Sequence, residues 1–232
     1  MKHGHEKRYE RNGLTVTPED MIILKKSAVC IVGCGGLGGG VIEGLARTGV
    51  GKLTAVDGDI FDVTNLNRQI LSDENNIGCF KADEAAAKIG RINSEAEIKG
   101  IRAFIDRDNI GRILAGHDVA VDALDSAGAR LILEEACEKE GIPLIHGAIC
   151  GWNGQAAVVM PGSRMLSNIY SSCEEHPDDR AAGNPYFTAA VISAIQVAET
   201  VKILLNKDGT LKNRLLNVDL RYHEYEITDF KE

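Results

Sequence analysis

No two of the six cysteines stand close enough to suggest a pair. They are scattered at positions 30, 34, 79, 137, 150 and 173 of a 232-residue chain. Without an export signal, thiols so placed are expected to stay reduced, as in the cytoplasm. No apolar run approaches the roughly 20 residues of a membrane span, and the opening Met-Lys-His-Gly-His does not read as a signal peptide. Positive charge is short as well. The 26 Lys and Arg against 34 Asp and Glu leave a net charge of −8, which argues against a general affinity for nucleic acid but leaves room for a local basic pocket. Nothing marks a second domain.

What the chain has is enough apolar material, 44%, for one α/β domain with a substantial core. Strand and helix patterns alternate. Strands are expected at 28–32, 52–56, 98–101 and 119–123, with another beginning at 143–145, and helices at 37–48, 81–92 and 129–139. This repetition predicts a doubly wound, mostly parallel sheet with helices on both faces. Later strands, expected to be antiparallel, are read at 155–160, 214–220 and 222–227, and 187–205 reads as one long amphipathic helix. Residues 1–26 read as an N-terminal arm or helix. The segment 161–185 is polar, turn-rich and too long for a connection without a function.

A glycine loop, Gly33-Cys-Gly-Gly-Leu-Gly38, follows the first strand and opens a helix. That is the setting in which backbone N–H groups and a helix dipole cradle phosphate. Asp57, 24 positions after Gly33 at the end of the second strand, suits ribose hydroxyls. Alone, these features fit an NAD- or FAD-dependent enzyme equally well. Four further clusters shift the reading: Asp57-Gly-Asp59, Asn65-Leu-Asn-Arg-Gln69, Lys81 and Asp122-Ala-Leu-Asp125. Arg68 offers a bidentate fork for phosphoryl charge, Lys81 adds a second cation, and Asp125 stands at a strand end where a carboxylate among phosphates is best explained as a Mg²⁺ ligand. A cationic, metal-coordinating pocket of this kind points to ATP being cut and away from NAD being reduced.

These stretches, with Arg8-Tyr9-x-Arg11, Gly49-Val-Gly51, Gly78-x-x-Lys81-Ala82, Gly147-Ala-x-x-Gly-x-x-Gly154-Gln155 and Gln196-x-x-Glu199-x-x-Lys202, make the chain similar to the ThiF/MoeB/HesA family, prokaryotic relatives of ubiquitin-activating enzymes. The resemblance runs from about Arg8 to about Val218 and implies a Rossmann-like adenylation domain without an appended sulfurtransferase. It implies Mg-ATP and the C-terminal Gly-Gly tail of a small ubiquitin-like sulfur-carrier protein as substrates, the tail carboxylate attacking the α-phosphate. The ATP site it implies takes in Gly33, Gly35, Gly36, Gly38, Asp57, Asp59, Asn65, Asn67, Arg68, Gln69, Lys81, Leu124, Asp125 and Ser126. Asp57 would hold ribose, Asn65, Arg68 and Lys81 would contact phosphates, and Asp125 would position the metal. A homodimer is implied too, with Arg11 reaching the neighbour's ATP. The chain's end, Asp229-Phe-Lys-Glu232, is not itself a Gly-Gly tail.

Two departures stand out. Many relatives hold zinc on two Cys-x-x-Cys pairs, but here the segment after Pro161 has only Cys173, and His176 and His223 do not complete a ligand set, so no zinc is expected. Cys173, in Ser171-Ser-Cys-Glu-Glu-His-Pro177, is either a remnant of such a site or a thiol that takes over the activated carboxylate. Cys30 and Cys137 read as core packing, Cys34 and Cys150 as fillers of tight turns. Two other functions stay open. Ala46-Arg-Thr-Gly-Val50 and Asp122-Ala-Leu-Asp-Ser126 also resemble relatives that adenylate threonylcarbamoyl-adenosine on transfer RNA, which the acidic balance disfavours. A non-catalytic module binding a ubiquitin-like partner is disfavoured by the presence of Arg68, Lys81 and Asp125 together.

Overall fold

Strand β1, Ala28–Val32, is five apolar residues in a row, and all five are buried. Such a run has no polar face for solvent, so it belongs inside a sheet covered on both sides. In the computed structural model, which describes residues 7–170 and 182–230, β2 (Lys52–Val56) and β4 (Val119–Asp122) flank it, both parallel. Beyond them lie β3 (Glu97–Ile101) and β5 (Leu144–Cys150), also parallel. Then β6 (Asn153–Val159), β7 (Arg214–Asp219) and β8 (Glu224–Asp229) continue antiparallel. The result is one eight-stranded sheet in the order β3-β2-β1-β4-β5-β6-β7-β8. This is the doubly wound, mostly parallel sheet with later antiparallel strands that the alternation of elements predicts.

Side chains of β1 alternate between two cores. Val29 and Ile31 face the layer of α2 (Gly36–Thr48), α3 (Lys81–Ile92) and α7 (Tyr186–Leu204). Cys30 and Val32 face α4 (Ile110–Leu114), α5 (Ala127–Glu140) and α6 (Met165–Tyr170). Ahead of β1, α1 (Pro18–Leu24) is started by Thr17, whose side chain accepts from the Asp20 N–H (3.2 Å) while the Asp20 carboxylate accepts from the Thr17 N–H (3.0 Å). Such reciprocal capping, with Pro18 in the first turn, contributes on the order of 1 kcal/mol.

Two expectations need correction. The first is the loop over 161–185, which begins instead with the short helix α6. Met165 and Leu166 are buried, and Glu134 of α5 accepts hydrogen bonds from the backbone N–H groups of Leu166 (2.6 Å) and Ser167 (2.9 Å). A neighbouring helix thus supplies the cap that the local sequence lacks. Residues 171–181, including Cys173 and His176, lie outside the described residues. The second concerns apolar length. Tyr186–Leu204 is long and apolar enough, by length and composition, to cross a membrane. Here it packs on α2, β5 and β6. Its inner face mixes Ala189 and Ile192 with Thr188, Ser193, Gln196, Glu199 and Thr200, which a lipid environment would not satisfy. Gln196 donates to the Asp122 and Ile145 carbonyls (2.7 and 3.3 Å), and Glu199 accepts from the Leu211 N–H (2.8 Å).

Burial also ranks the thiols. Cys30 is pushed up to about 12, and Cys34 and Cys137 are likewise raised by desolvation, whereas Cys79 is exposed. Because the thiolate is the reactive form, brief alkylation of the folded protein at about pH 8 should modify Cys79 and spare Cys30, Cys34 and Cys137 until denaturant is added. Peptide mass mapping before and after unfolding would detect the contrast; equal labelling of all four in the native state would overturn this packing.

Candidate active site

In the order of the sheet, the chain leaves β1 toward β2 and β3 and returns across it to β4. The C-terminal ends of β1 and β4 therefore sit side by side while their connections part, and a crevice opens between them. Gly33, at φ +99°, closes its floor: a Cβ there would stand 2.4 Å from the Ala123 carbonyl oxygen. Gly38 serves the same turn, since its Cβ would overlap the Gly33 carbonyl. Asp57 fixes the loop from the side. One carboxylate oxygen accepts from the Cys34 N–H (2.8 Å) and the other from the Asp59 N–H (2.9 Å). Helix α2 starts at Gly36 with no side-chain cap, so its first N–H groups point their partial positive charge at the crevice.

Above this floor lies a cavity of about 1010 Å³, walled by the glycine loop, the ends of β2 and β4, and further along by β5, β6, β7 and β8. Gly33, Gly35, Gly36, Asp57, Asp59, Arg68, Gln69, Lys81, Leu124, Asp125 and Ser126 all line it, so these candidates come together. Lys81 is the first residue of α3 and is buried, with its ammonium 2.7 Å from the Asp59 carboxylate. That hydrogen bond holds the Asp59 carboxyl below its ordinary range. Arg68 rests its stem against Gly36 and donates to the Thr64 carbonyl (3.1 Å) and the Asn67 side chain (2.9 Å). Gln69 is buried with its side-chain oxygen lacking a partner. Asp125 is exposed to the cavity, and among the described residues no ion pair or hydrogen bond engages its carboxylate. Ser126 caps α5.

Four candidates stand elsewhere. Gly38 lies behind the loop. Asn65 spends its side-chain oxygen on the Asp62 N–H (3.1 Å), closing a short 3-10 turn. Asn67 does not line the cavity but braces Arg68 and donates to the Asn184 carbonyl (3.4 Å). Arg11 belongs to a 3-10 segment, Lys7–Asn12, anchored where Tyr9 accepts from Asn93 (2.8 Å) and Asn12 donates to the Thr48 carbonyl (3.4 Å). Asn93 and Thr48 mark the far ends of α3 and α2, whose near ends carry Lys81 and Gly36. A further correction concerns charge. The cavity is not simply cationic, because Asp57, Asp59, Asp125, Asp219, Glu224 and Glu226 outnumber Arg68, Lys81 and Arg130 along its walls. Cys150 is no turn filler either; it ends β5 and faces the cavity. No group of three or more His, Cys, Asp or Glu suited to hold a metal exists among the described residues.

Two features escaped the sequence reading. Phe104, 73% exposed, packs its ring against Gly58 beside Asp57, where any Cβ would meet the ring at 2.6 Å. The other is a buried polar network beneath the Asp122–Asp125 loop. His146 Nδ1 lies 2.7 Å from Asp122, and its Nε2 is 3.2 Å from both the Tyr170 hydroxyl and the Gln155 amide nitrogen. Tyr170 accepts from Arg130 (2.5 Å) and Gln155 (2.7 Å), leaving its proton for His146. Burial holds the His146 pKa below its ordinary value against the pull of Asp122. The geometry agrees: a second ring N–H would face an amide donor. His146 is thus neutral, with its proton on Nδ1.

Residues 9–232 match the ThiF family. The chain belongs to the ThiF family. It is 34% identical over 229 residues to the SAMP-activating enzyme E1 of Haloferax volcanii, covering 97% of this chain and 85% of that one. It is 31% identical over 230 residues to the molybdopterin-synthase adenylyltransferase of Haemophilus influenzae, covering 94% and 92%. Of the Culex quinquefasciatus adenylyltransferase and sulfurtransferase MOCS3, 35% identical, it spans only 46%. Among solved structures, the Escherichia coli MccB enzyme with ATP superposes with a TM-score of 0.82 at 22% identity, covering 97% of this chain and 72% of that one, a likeness of fold. Membership bears out the resemblance read from the motifs and makes this ThiF-family chain an ATP-using adenylyltransferase.

The neutral buried imidazole has a consequence for stability. The unfolded chain takes up a proton on this histidine below about pH 6.5, which the folded protein refuses, so stability is full above that value and falls as the pH drops. Carboxylates held down by partners act only nearer pH 4. Thermal melting followed from about pH 7 to about pH 5 should show this decline, and His146→Gln should flatten it. A slope unchanged in the variant would mean that His146 takes up its proton equally in the folded and unfolded chain, and would remove it as the cause.

Proposed function

We propose that this protein adenylates the C-terminal carboxylate of a small ubiquitin-like sulfur-carrier protein ending in Gly-Gly, using Mg-ATP. The observation that carries this reading is the single cavity in which an uncapped helix N-terminus, Arg68, Lys81 and Asp125 meet, and which runs on along β5 to β8, giving an extended tail a wall to lie against. The named activities of the Haloferax and Haemophilus relatives agree with it.

In the reaction, a tail carboxylate oxygen bonds to the α-phosphorus. The bond from that phosphorus to the bridging oxygen breaks, and pyrophosphate leaves with the electron pair. No proton needs to move, so the protein's contribution is alignment and charge neutralisation. The N–H groups of Gly35 to Leu37 and the Arg68 fork receive phosphate oxygens. Lys81, preset by Asp59, supplies a second positive charge without first having to be ordered. Asp125 would hold a Mg²⁺ ion, for which a single carboxylate beside substrate phosphates suffices; such an ion would neutralise developing phosphoryl charge. Phe104 supplies an apolar face for the base next to Asp57 at the ribose. Arg11 acts on the cavity of a second copy in a homodimer, and transfer of the activated carboxyl to Cys173 would follow adenylation.

The deciding experiment is Mg²⁺-dependent ATP–pyrophosphate exchange with a panel of Gly-Gly-ended ubiquitin-like proteins. One carrier should support exchange and lose it when its last glycine is removed; silence with every carrier would overturn the reading. Asp125→Ala should abolish exchange while melting as the wild type does, and turnover retained in that variant would remove Asp125 from the metal. Phe104→Ala should weaken ATP binding about tenfold, as expected for a lost base–aromatic stack, yet leave inorganic tripolyphosphate binding unaltered. Equal loss for both ligands would place the base elsewhere.

A further inference from the structure

Arg130 is buried in the second turn of α5, five residues after Asp125. One arm of its guanidinium donates to the Leu124 carbonyl (2.6 Å) and another to the Tyr170 hydroxyl (2.5 Å), while its Nε has no hydrogen-bond partner and stands 3.7 Å from Asp122. The loop it grips is otherwise held at its start, where Gln196 donates to the Asp122 carbonyl (2.7 Å). Ala123 donates to the Val32 carbonyl (2.9 Å), and Leu124 donates to the Asp122 carboxylate (2.9 Å). Asp122, Leu124 and Tyr170 are therefore joined through one guanidinium, and His146 ties Asp122 to Tyr170 from behind. One turn further along α5, Glu134 fixes the other end of α6. Among the described residues no hydrogen bond or ion pair engages the exposed Asp125 carboxylate.

We propose that Arg130 is a positioning residue for Asp125. Through the Leu124 carbonyl it sets the angle at which the Asp125 carboxylate enters the cavity, and Tyr170, oriented by His146 and Gln155, keeps the guanidinium in place. This rests on the reading of Asp125 as the metal carboxylate and deepens it. The reason lies in the Leu124–Asp125 peptide, whose carbonyl is clasped by Arg130. A single peptide, Leu124–Asp125, separates the clasped carbonyl from the acid, so a guanidinium that swings away lets that peptide rotate. A carboxylate displaced by an ångström then loses its place among the metal's ligands, where distances are held within a few tenths of an ångström. A polar network of this depth that served packing alone would be replaceable by apolar side chains at little cost; here it ends on the loop that carries the metal carboxylate.

The test uses Tyr170→Phe, which removes one hydroxyl, and Arg130→Lys, which keeps the charge but not the two-armed grip. Both avoid the large cavity that Arg130→Ala would leave. ATP affinity of the whole protein is measured in EDTA and in saturating Mg²⁺, and the ratio is the readout. Each variant is expected to reduce the gain from Mg²⁺ about tenfold, the usual size for partners that orient a metal's ligands. In an Asp125→Asn background, Tyr170→Phe should reduce it no further. Equal weakening with and without the metal, or full additivity in the Asp125→Asn background, would show a merely structural network and overturn the proposal. A wild type whose ATP affinity gains nothing from Mg²⁺ would instead remove the reading of Asp125 on which the proposal stands.

Discussion

Gly33 against the Ala123 carbonyl is the contact on which this architecture turns. Two parallel strands bring their ends to the same point, and only a residue without a side chain allows the backbones to meet there. Were they held apart by a methyl group, the glycine loop would lift from β4. The Cys34 N–H would then lose the Asp57 carboxylate, and α2 would no longer aim its open N–H groups at the loop carrying Asp125. The catalytic geometry proposed for the cavity is thus fixed by main-chain proximity first and by side chains afterwards. That is also why a glycine pattern is so strong a signal for a phosphate site and so weak a signal for which reaction occurs there.

Acids on the cavity wall look at first like an obstacle to a polyphosphate. Half of them are already engaged. Asp57 is spent on two backbone N–H groups, Asp59 on Lys81, and Asp219 on the N–H groups of Arg221 and Tyr222. Carboxylates placed this way order the donors around a ligand instead of repelling it. Lys81 illustrates the trade. Its ammonium, buried at the start of α3, is matched by the Asp59 carboxylate 2.7 Å away. Arriving anions must therefore compete with Asp59, which favours a ligand of high charge density.

The elements that define the fold were legible because each has a local signature. Strands β1 and β2 and helix α3 fall where apolar runs and helical spacing predict them, to the residue. Helix α6 was not, since its cap, Glu134, lies more than thirty positions earlier. In the site, residues in short motifs were brought together as expected, while Asn65 and Asn67 share a motif with Arg68 yet turn to capping and bracing. The network of Asp122, His146, Gln155, Tyr170 and Arg130 has no spacing to read, because three strands and two helices converge on it only after folding. Phe104 was invisible for a similar reason: a lone aromatic after an edge strand means nothing until Gly58 is seen beneath its ring.

Arg11 shows how far the fold alone constrains a functional role. Its neighbours Tyr9 and Asn12 are tied to Asn93 and Thr48, at the ends of α3 and α2 remote from the cavity. Those helices have 12 and 13 residues, so at 1.5 Å per residue the anchor stands roughly 18 to 20 Å from Lys81 and Gly36. An arginine side chain covers less than half of that. Bringing Arg11 to its own cavity would require releasing the buried Tyr9, the Asn93 bond and the packing of the ring on Gly49, for the gain of one ionic contact. Packing of that kind outweighs an exposed ion pair. The segment therefore stays where it is, out of reach of the cavity of its own chain.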